Sequence, residues 1–310
     1  MRNAKNPLPK IPPTFIAPKF DVSVKQTGTM KIPGYFPFYY AGIQSLWVYW
    51  RVERSVLDKY LREKGMKPAR FSDGDDTGLV NINFFNAAAL YGAGQPGNPG
   101  VGGFNETELN VVAYAAAVEA AVPTSYTQKA FVSGADQTKR IGVYRVWVAC
   151  DSAVAVAAGI QRYFENKFLV AYDYNVPHLN NDPAQSEYQW TCYDAAEIAG
   201  QKKPGTFIYR GNVNLAGLTP APGNMSEWID LSYDETSKRV VASRRNYLGM
   251  YDTYFLSRAP ANAVRIEFGD SNHPMRADMQ RLIGTRPAFA IQRFVSPPVI
   301  AEASPYYADL

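Results

Sequence analysis

A chain of 310 residues can bury a substantial core as one large domain or two small ones. Its 46% hydrophobic and 19% charged residues are the composition of a globular protein, which excludes wholesale disorder. The formal charge of +4, from 32 basic and 28 acidic residues, is mild and dispersed, so no nucleic-acid face is marked. Lys202-Lys203 and Arg244-Arg245 are only pairs, expected on solvated turns.

No apolar run approaches the roughly 18 residues needed to cross a bilayer. The opening MRNAKNPLPKIPPTF lacks the apolar centre of a secretory signal. A cytoplasmic protein without nucleic-acid or membrane partners is therefore expected. Two cysteines, Cys150 and Cys192, cannot make a disulfide framework, and Cys150 in VWVAC reads as a small core residue. Two histidines, His178 and His273, leave few ways to build a zinc site or a Ser-His-Asp triad.

Aromatics make up 14% of the chain, and 22 Pro and 23 Gly punctuate it. Many short strands with frequent turns are the expected result. Residues 1–35 are polar and Pro-rich and read as an extended arm or a frayed terminus; 36–310 read as a single domain. The β-branched and aromatic run 36–52 predicts a long strand. In 53–65, Val56, Leu57, Tyr60 and Leu61 fall at helical spacing before Gly65. A strand is expected over 79–91.

Gly92, Gly94 and Gly97 formally spell G-x-G-x-x-G. A phosphate site needs a helix to start there, and Pro96 and Pro99 prevent one. Residues 92–103 are thus a flexible loop, and no nucleotide, metal or other cofactor is implied. Alternating residues at 108–122 precede a strand at 141–150. An alanine-rich helix at 151–165 follows, capped by Asp151 or Ser152. Strands are expected at 168–176, 206–215, 228–233, 238–243, 263–268 and 288–303, with a short helix at 278–283. The class is α+β, mostly β.

Segments 142–172, 104–114, 263–282 and 294–307 together resemble the acetoacetate decarboxylase superfamily, with a weaker stretch at 47–61. In the first, a strand ends at Asp151, a small-residue helix carries Gly159 and Tyr163, and Lys167 and Leu169 follow without a gap. The resemblance implies an antiparallel, barrel-like (cone-shaped) sheet with a few helices. It also implies a lysine in an apolar interior that forms a Schiff base with a keto group, and by position this is Lys167. Glu106 falls where the family has an active-site glutamate, and Glu108 lies one strand step away. Asn83 stands at the family's other pocket acid, Ile43 at its substrate-binding arginine, and Phe168 at its second lysine.

Only a neutral amine attacks a carbonyl, and a lysine of ordinary pKa is neutral about once in 2,500 molecules at pH 7. Lowering that pKa by about 3 units costs around 4 kcal/mol of ammonium solvation. Burial against Phe164, Phe168 and Leu169 favours this, but the neighbouring cation is missing. In an extended backbone Glu165 points to the same side as Lys167 and opposes it.

Three expectations follow. The first is decarboxylation of a β-keto acid through an imine on Lys167. The second is aldol or dehydratase-type imine chemistry on an α-keto or enone substrate, and the third is a non-catalytic barrel for an apolar ligand. The partner is a small-molecule carbonyl or keto acid. A homo-oligomer is expected from the family.

Overall fold

The computed structural model describes residues 38–74, 76–89, 102–136, 138–177, 186–195, 201–224, 227–247, 250–258, 262–295, 300–302 and 305–308. The arm expected over 1–35 and residues 92–101 of the loop expected over 92–103 lie outside them, whereas Gly102 and Gly103 are strand. In chain order the elements are β1 (Phe38–Glu53), α1 (Arg54–Leu61), β2 (Met66–Pro68), β3 (Thr77–Ala89), β4 (Gly102–Ala115), α2 (Gln128–Val132), β5 (Gly142–Cys150), α3 (Ala153–Tyr163), β6 (Lys167–Asn175), β7 (Glu187–Ala195), β8 (Lys202–Asn214), β9 (Ala221–Asn224), β10 (Glu227–Asp234), β11 (Arg239–Tyr247), β12 (Met250–Phe255), β13 (Val264–Phe268), α4 (Pro274–Leu282), β14 (Ala288–Val295), β15 (Ile300–Glu302) and β16 (Tyr306–Tyr307).

The pairings β1–β3–β4–β5–β10–β11–β15 return to β1 and close a barrel-like ring. Every step of the ring is antiparallel except β5–β10. A second sheet, β6–β7–β8–β13, leaves the ring where β6 pairs in parallel with β5. β10 and β6 thus share one edge of β5: β10 takes Val143 and Tyr144, and β6 takes Val148 to Cys150. The sheet forks between them.

Strand alternation sorts the residues into two cores. Inside the ring, Trp47 of β1 meets Trp228 of β10 and Tyr247 of β11, with centroids 6.2 and 5.7 Å apart. Outside it, Phe84 stacks on Trp190 at 4.8 Å, and the buried Met275, Met279 and Leu282 of α4 join the same cluster. α1 buries Leu57 and Leu61 as its spacing predicts, a gain of about 1.5–3 kcal/mol for each side chain. The chain leaves this helix through a 3₁₀ turn ending at Gly65, whose φ of 68° suits glycine.

Some elements differ from expectation. β7 and α2 carry short patterns that the reading along the chain passes over. β4 starts at Gly102, while 116–121 is a 3₁₀ turn. α4 begins at Pro274, four residues before the expected helix, because His273 caps it: its Nδ1 accepts the Met275 N–H at 3.2 Å. The sheet is antiparallel apart from the two parallel pairings of β5.

Candidate active site

The fork in the sheet builds the site. In β5 the register slips by one residue between Trp147, opposite Leu109, and Arg145, opposite Asn110. Val146 is the extra residue of a β-bulge. In a regular strand Arg145 and Trp147 would point the same way; the bulge re-aims one of them. Trp147 faces outward and donates to Asp278 of α4 at 2.7 Å. Arg145 faces the ring interior, 3% exposed. Asn166 closes the gap in the ladder: its side chain donates to the Val146 carbonyl (3.1 Å), and its carbonyl accepts the Val148 N–H (3.0 Å).

α3 leads the chain into the fork. Ser152 caps it, accepting the Ala155 N–H at 3.3 Å. Asp151, the other candidate cap, instead accepts two hydrogen bonds from Asn105, at 2.8 and 2.7 Å. The helix stops at Phe164, which adopts φ 56°, a conformation bulky residues rarely take. The following Glu165 N–H reaches back to the Gly159 carbonyl at 3.2 Å. This tight reversal sets Glu165 and Lys167 beneath the helix. Ala155, Ala158, Gly159 and Tyr163 face them at spacings of 3, 1 and 4 residues. A Cβ on Gly159 would overlap Lys167 Cδ and Glu165 Oε2.

The Lys167 side chain is 8% exposed. Its Nζ lies 2.5 Å from Glu106 Oε2 and 3.4 Å from Glu165 Oε2. Beneath this group sits a buried ionic lattice. Arg145 ion-pairs with Glu165 and Asp230 and lies 3.2 Å from Glu108. Arg245 of β11 lies 3.2 Å from Asp230 and 3.6 Å from Glu108, with its guanidinium 5.7 Å from the Phe85 ring centre. The second Glu108 oxygen accepts from Asn83 and Asn110, both at 3.1 Å. Asn83 in turn accepts from Ser45 Oγ at 2.9 Å.

Burial alone would raise the Glu108 carboxyl, but Arg145, Arg245 and the two amides outweigh it and hold it at about 2. Burial pulls the Lys167 ammonium down. The Glu106 carboxylate beside it overcomes that pull and leaves the amine above its ordinary value. Burial also pushes the Cys150 thiol well up, so it is no nucleophile.

The cavity over Lys167 measures about 40 Å³, room for about three ordered waters. Glu106, Glu165, Lys167, Arg145 and Arg245 form its polar side, and Tyr40, Ala89, Phe104, Ala155, Ala158 and Tyr163 line the rest. A larger groove of about 530 Å³ lies over β6, β7, β8 and β13. It holds exposed, solvated ion pairs, as in Arg210–Glu267 at 3.3 Å. Among the described residues, no group of three or more His, Cys, Asp or Glu side chains is placed to hold a metal.

Of the residues singled out in sequence, Lys167 and Glu106 meet on the cavity wall. Glu108 and Asn83 lie one layer beneath it. Ile43 is buried on the inner face of β1 and does not line the cavity. Phe168 does not line it either. It follows Lys167 in the strand and so faces outward, stacked on His273 at 3.8 Å. The Arg244-Arg245 pair is not a solvated turn. Both residues lie in β11, where alternation exposes Arg244 and buries Arg245 to 2%. Reading composition alone missed Arg145, Arg245 and Asp230. The alternation of VVASRRNY was the available signal for Arg245, whereas a bulge has no such signature.

No family model and no curated protein matches the sequence. Solved structures do match. One is the enduracididine biosynthesis enzyme MppR, complexed with the condensation product of pyruvate and imidazole 4-carboxaldehyde (TM-score 0.56, 14% identity, 90% of this chain and 91% of that one). Another is an acetoacetate decarboxylase-like enzyme from Sphingomonas wittichii RW1 (TM-score 0.50, 13% identity, 87% and 92%). A third is acetoacetate decarboxylase (TM-score 0.50, 10% identity, 93% of each chain). The solved structures it resembles are enzymes. The fold of this chain is that of the acetoacetate decarboxylase superfamily.

Proposed function

We propose that this chain is an imine-forming enzyme. Lys167 attacks a small carbonyl compound, and the reaction that follows is of the aldol or dehydration type rather than decarboxylation. The observation that carries the reading is the pair of carboxylates, Glu106 and Glu165, on the nitrogen of a buried lysine.

The Lys167 ammonium passes a proton to Glu106, and the freed lone pair bonds the carbonyl carbon. The carbonyl oxygen takes that proton back to give a carbinolamine. It then leaves as water with a second proton from nitrogen, relayed by a carboxylate. Overall an ammonium and a carbonyl become an iminium and water. The iminium acidifies the neighbouring C–H, and a carboxylate removes that proton to give an enamine. The enamine carbon either bonds an aldehyde carbon or expels a β-hydroxyl, which leaves as water after protonation by the second carboxyl.

Decarboxylation makes a different demand. It shares the imine-forming steps, but its bond-breaking step needs no base. Here the lysine is stabilised as the ammonium, and Phe168, at the position of the second lysine in the resemblance, faces outward onto His273. Proton transfer within the site has to free the amine, which suits a site built to move protons. The likeness to MppR, whose structure holds a condensation product, supports the same reading.

Borohydride reduction in the presence of carbonyl compounds, read by peptide mass spectrometry, tests it. A reduced adduct on Lys167, absent in Lys167→Ala, is expected, with no carbon dioxide released from β-keto acids. A folded protein that labels with no carbonyl compound would refute imine chemistry. Release of carbon dioxide at catalytic rates would restore the decarboxylase reading.

A further inference from the structure

The ionic groups around the cavity do not balance. Among the described residues, Lys167, Arg145 and Arg245 contribute three positive charges, while Glu106, Glu108, Glu165 and Asp230 contribute four negative ones. All seven are buried. Each guanidinium already faces at least two carboxylates, so neither stands ready to receive another. With every group ionised the cluster carries one net negative charge. With one carboxyl protonated it is neutral.

The chemistry at Lys167 leaves that sum unchanged. An ammonium is replaced by an iminium, one positive charge for one, and the by-product is water. A neutral carbonyl compound therefore enters and reacts without altering the charge of the buried cluster. A carboxylate-bearing compound adds a negative charge to a group that is already neutral or negative. It is also stripped of water in a site where, among the described residues, each cation already faces carboxylates. Ala89, Phe104, Ala155 and Ala158 are apolar, and Tyr40 and Tyr163, which complete the lining, are neutral, so none of them adds a positive charge to offset an anion.

We propose that the cavity takes an uncharged aldehyde, ketone or enone and discriminates against keto acids. This contrasts with the pyruvate-derived product in the MppR structure. The catalytic half of the proposal rests on the imine reading of Lys167; the charge preference does not.

Acids and their primary amides nearly match in shape and differ in charge, which makes the test direct. Pyruvate against pyruvamide, and acetoacetate against acetoacetamide, are compared on the wild-type protein. Binding is followed by calorimetry, and labelling of Lys167 by borohydride trapping. The amides are expected to bind and label about tenfold better or more. Acids that bind or label as well as the amides, or amides that fail to bind at millimolar concentration, overturn the proposal. If neither class labels but the amides bind more tightly, the charge preference stands and the imine reading falls. If all four label without charge preference, the imine reading stands and this proposal falls. Glu165→Gln removes one carboxylate and is expected to narrow the gap between each acid and its amide.

Discussion

Gly159 sets two physical effects against each other. In a helix interior, Gly→Ala ordinarily stabilises by about 1 kcal/mol, because glycine loses more backbone freedom on folding. At this position the new Cβ would overlap Lys167 Cδ and Glu165 Oε2 and come within 3.3 Å of Glu165 Cδ. Neither side chain can swing aside without cost: Lys167 is tied to Glu106, and Glu165 is tied to Arg145. Forcing a methyl into such a site costs about 1–3 kcal/mol, so Gly159→Ala is expected to be destabilising by about 1 kcal/mol net. The larger effect falls on chemistry. Displacing Lys167 by about an ångström is expected to slow its labelling by up to about a hundredfold. Urea unfolding and the rate of borohydride trapping measure the two effects. Ala157→Gly, on the exposed side of the same helix, reports the plain propensity term and should leave labelling unchanged. If Gly159→Ala stabilises the protein by about 1 kcal/mol and labels at the wild-type rate, α3 does not rest on Lys167, and the account of the site is wrong.

Arg145→Met leaves Glu108, Glu165 and Asp230 short of a buried partner and is expected to cost about 3–5 kcal/mol in urea unfolding. Arg210→Met, which breaks the half-exposed pair with Glu267, should stay within about 1 kcal/mol. The Glu108 carboxyl is held at about 2 against an ordinary 4.5. Its stabilising contribution is therefore complete above about pH 4.5 and fades as pH falls toward 2; Glu108→Gln should flatten that acid limb of stability, measured by unfolding midpoints between pH 3 and 6. The Glu106 carboxylate raises the Lys167 amine, so Glu106→Gln should move the pH profile of trapping to lower pH, and an unmoved profile would mean that Glu106 does not set the state of the amine.

Much of the site was legible in the one-dimensional pattern. The resemblance carried by a strand, a small-residue helix and a lysine singled out Lys167, which opens β6, one residue before the expected strand. Extended geometry put Glu165 on its side, and β4 put Glu106 and Glu108 two residues apart on a single face. The cap at Ser152 was one of two local candidates, because a capping side chain finds its N–H within three residues. Helix spacing in α1 and alternation in β1 and β3 likewise follow from neighbours a few residues apart.

The rest depends on contacts between distant segments. Alternation says that Ile43 and Phe168 each choose one of two faces; which face the ring encloses is settled only when β15 returns to β1. Arg145 points inward because Val146 bulges, and the bulge is stabilised by Asn166, 20 residues away. Arg145 meets Asp230 across 85 residues of sequence, and Arg245 arrives from β11 to share the same carboxylates. A charged residue is costly to bury alone and tolerable in company. Whether Arg245 is a surface residue or part of the lattice is therefore decided by partners that no local pattern names. The resemblance carried by local pattern along the chain singled out Lys167 and Glu106, which the fold brings together. Only the closed sheet decided the charge of the chamber around them, because that charge is a sum over side chains brought together from five strands and the turn that follows α3.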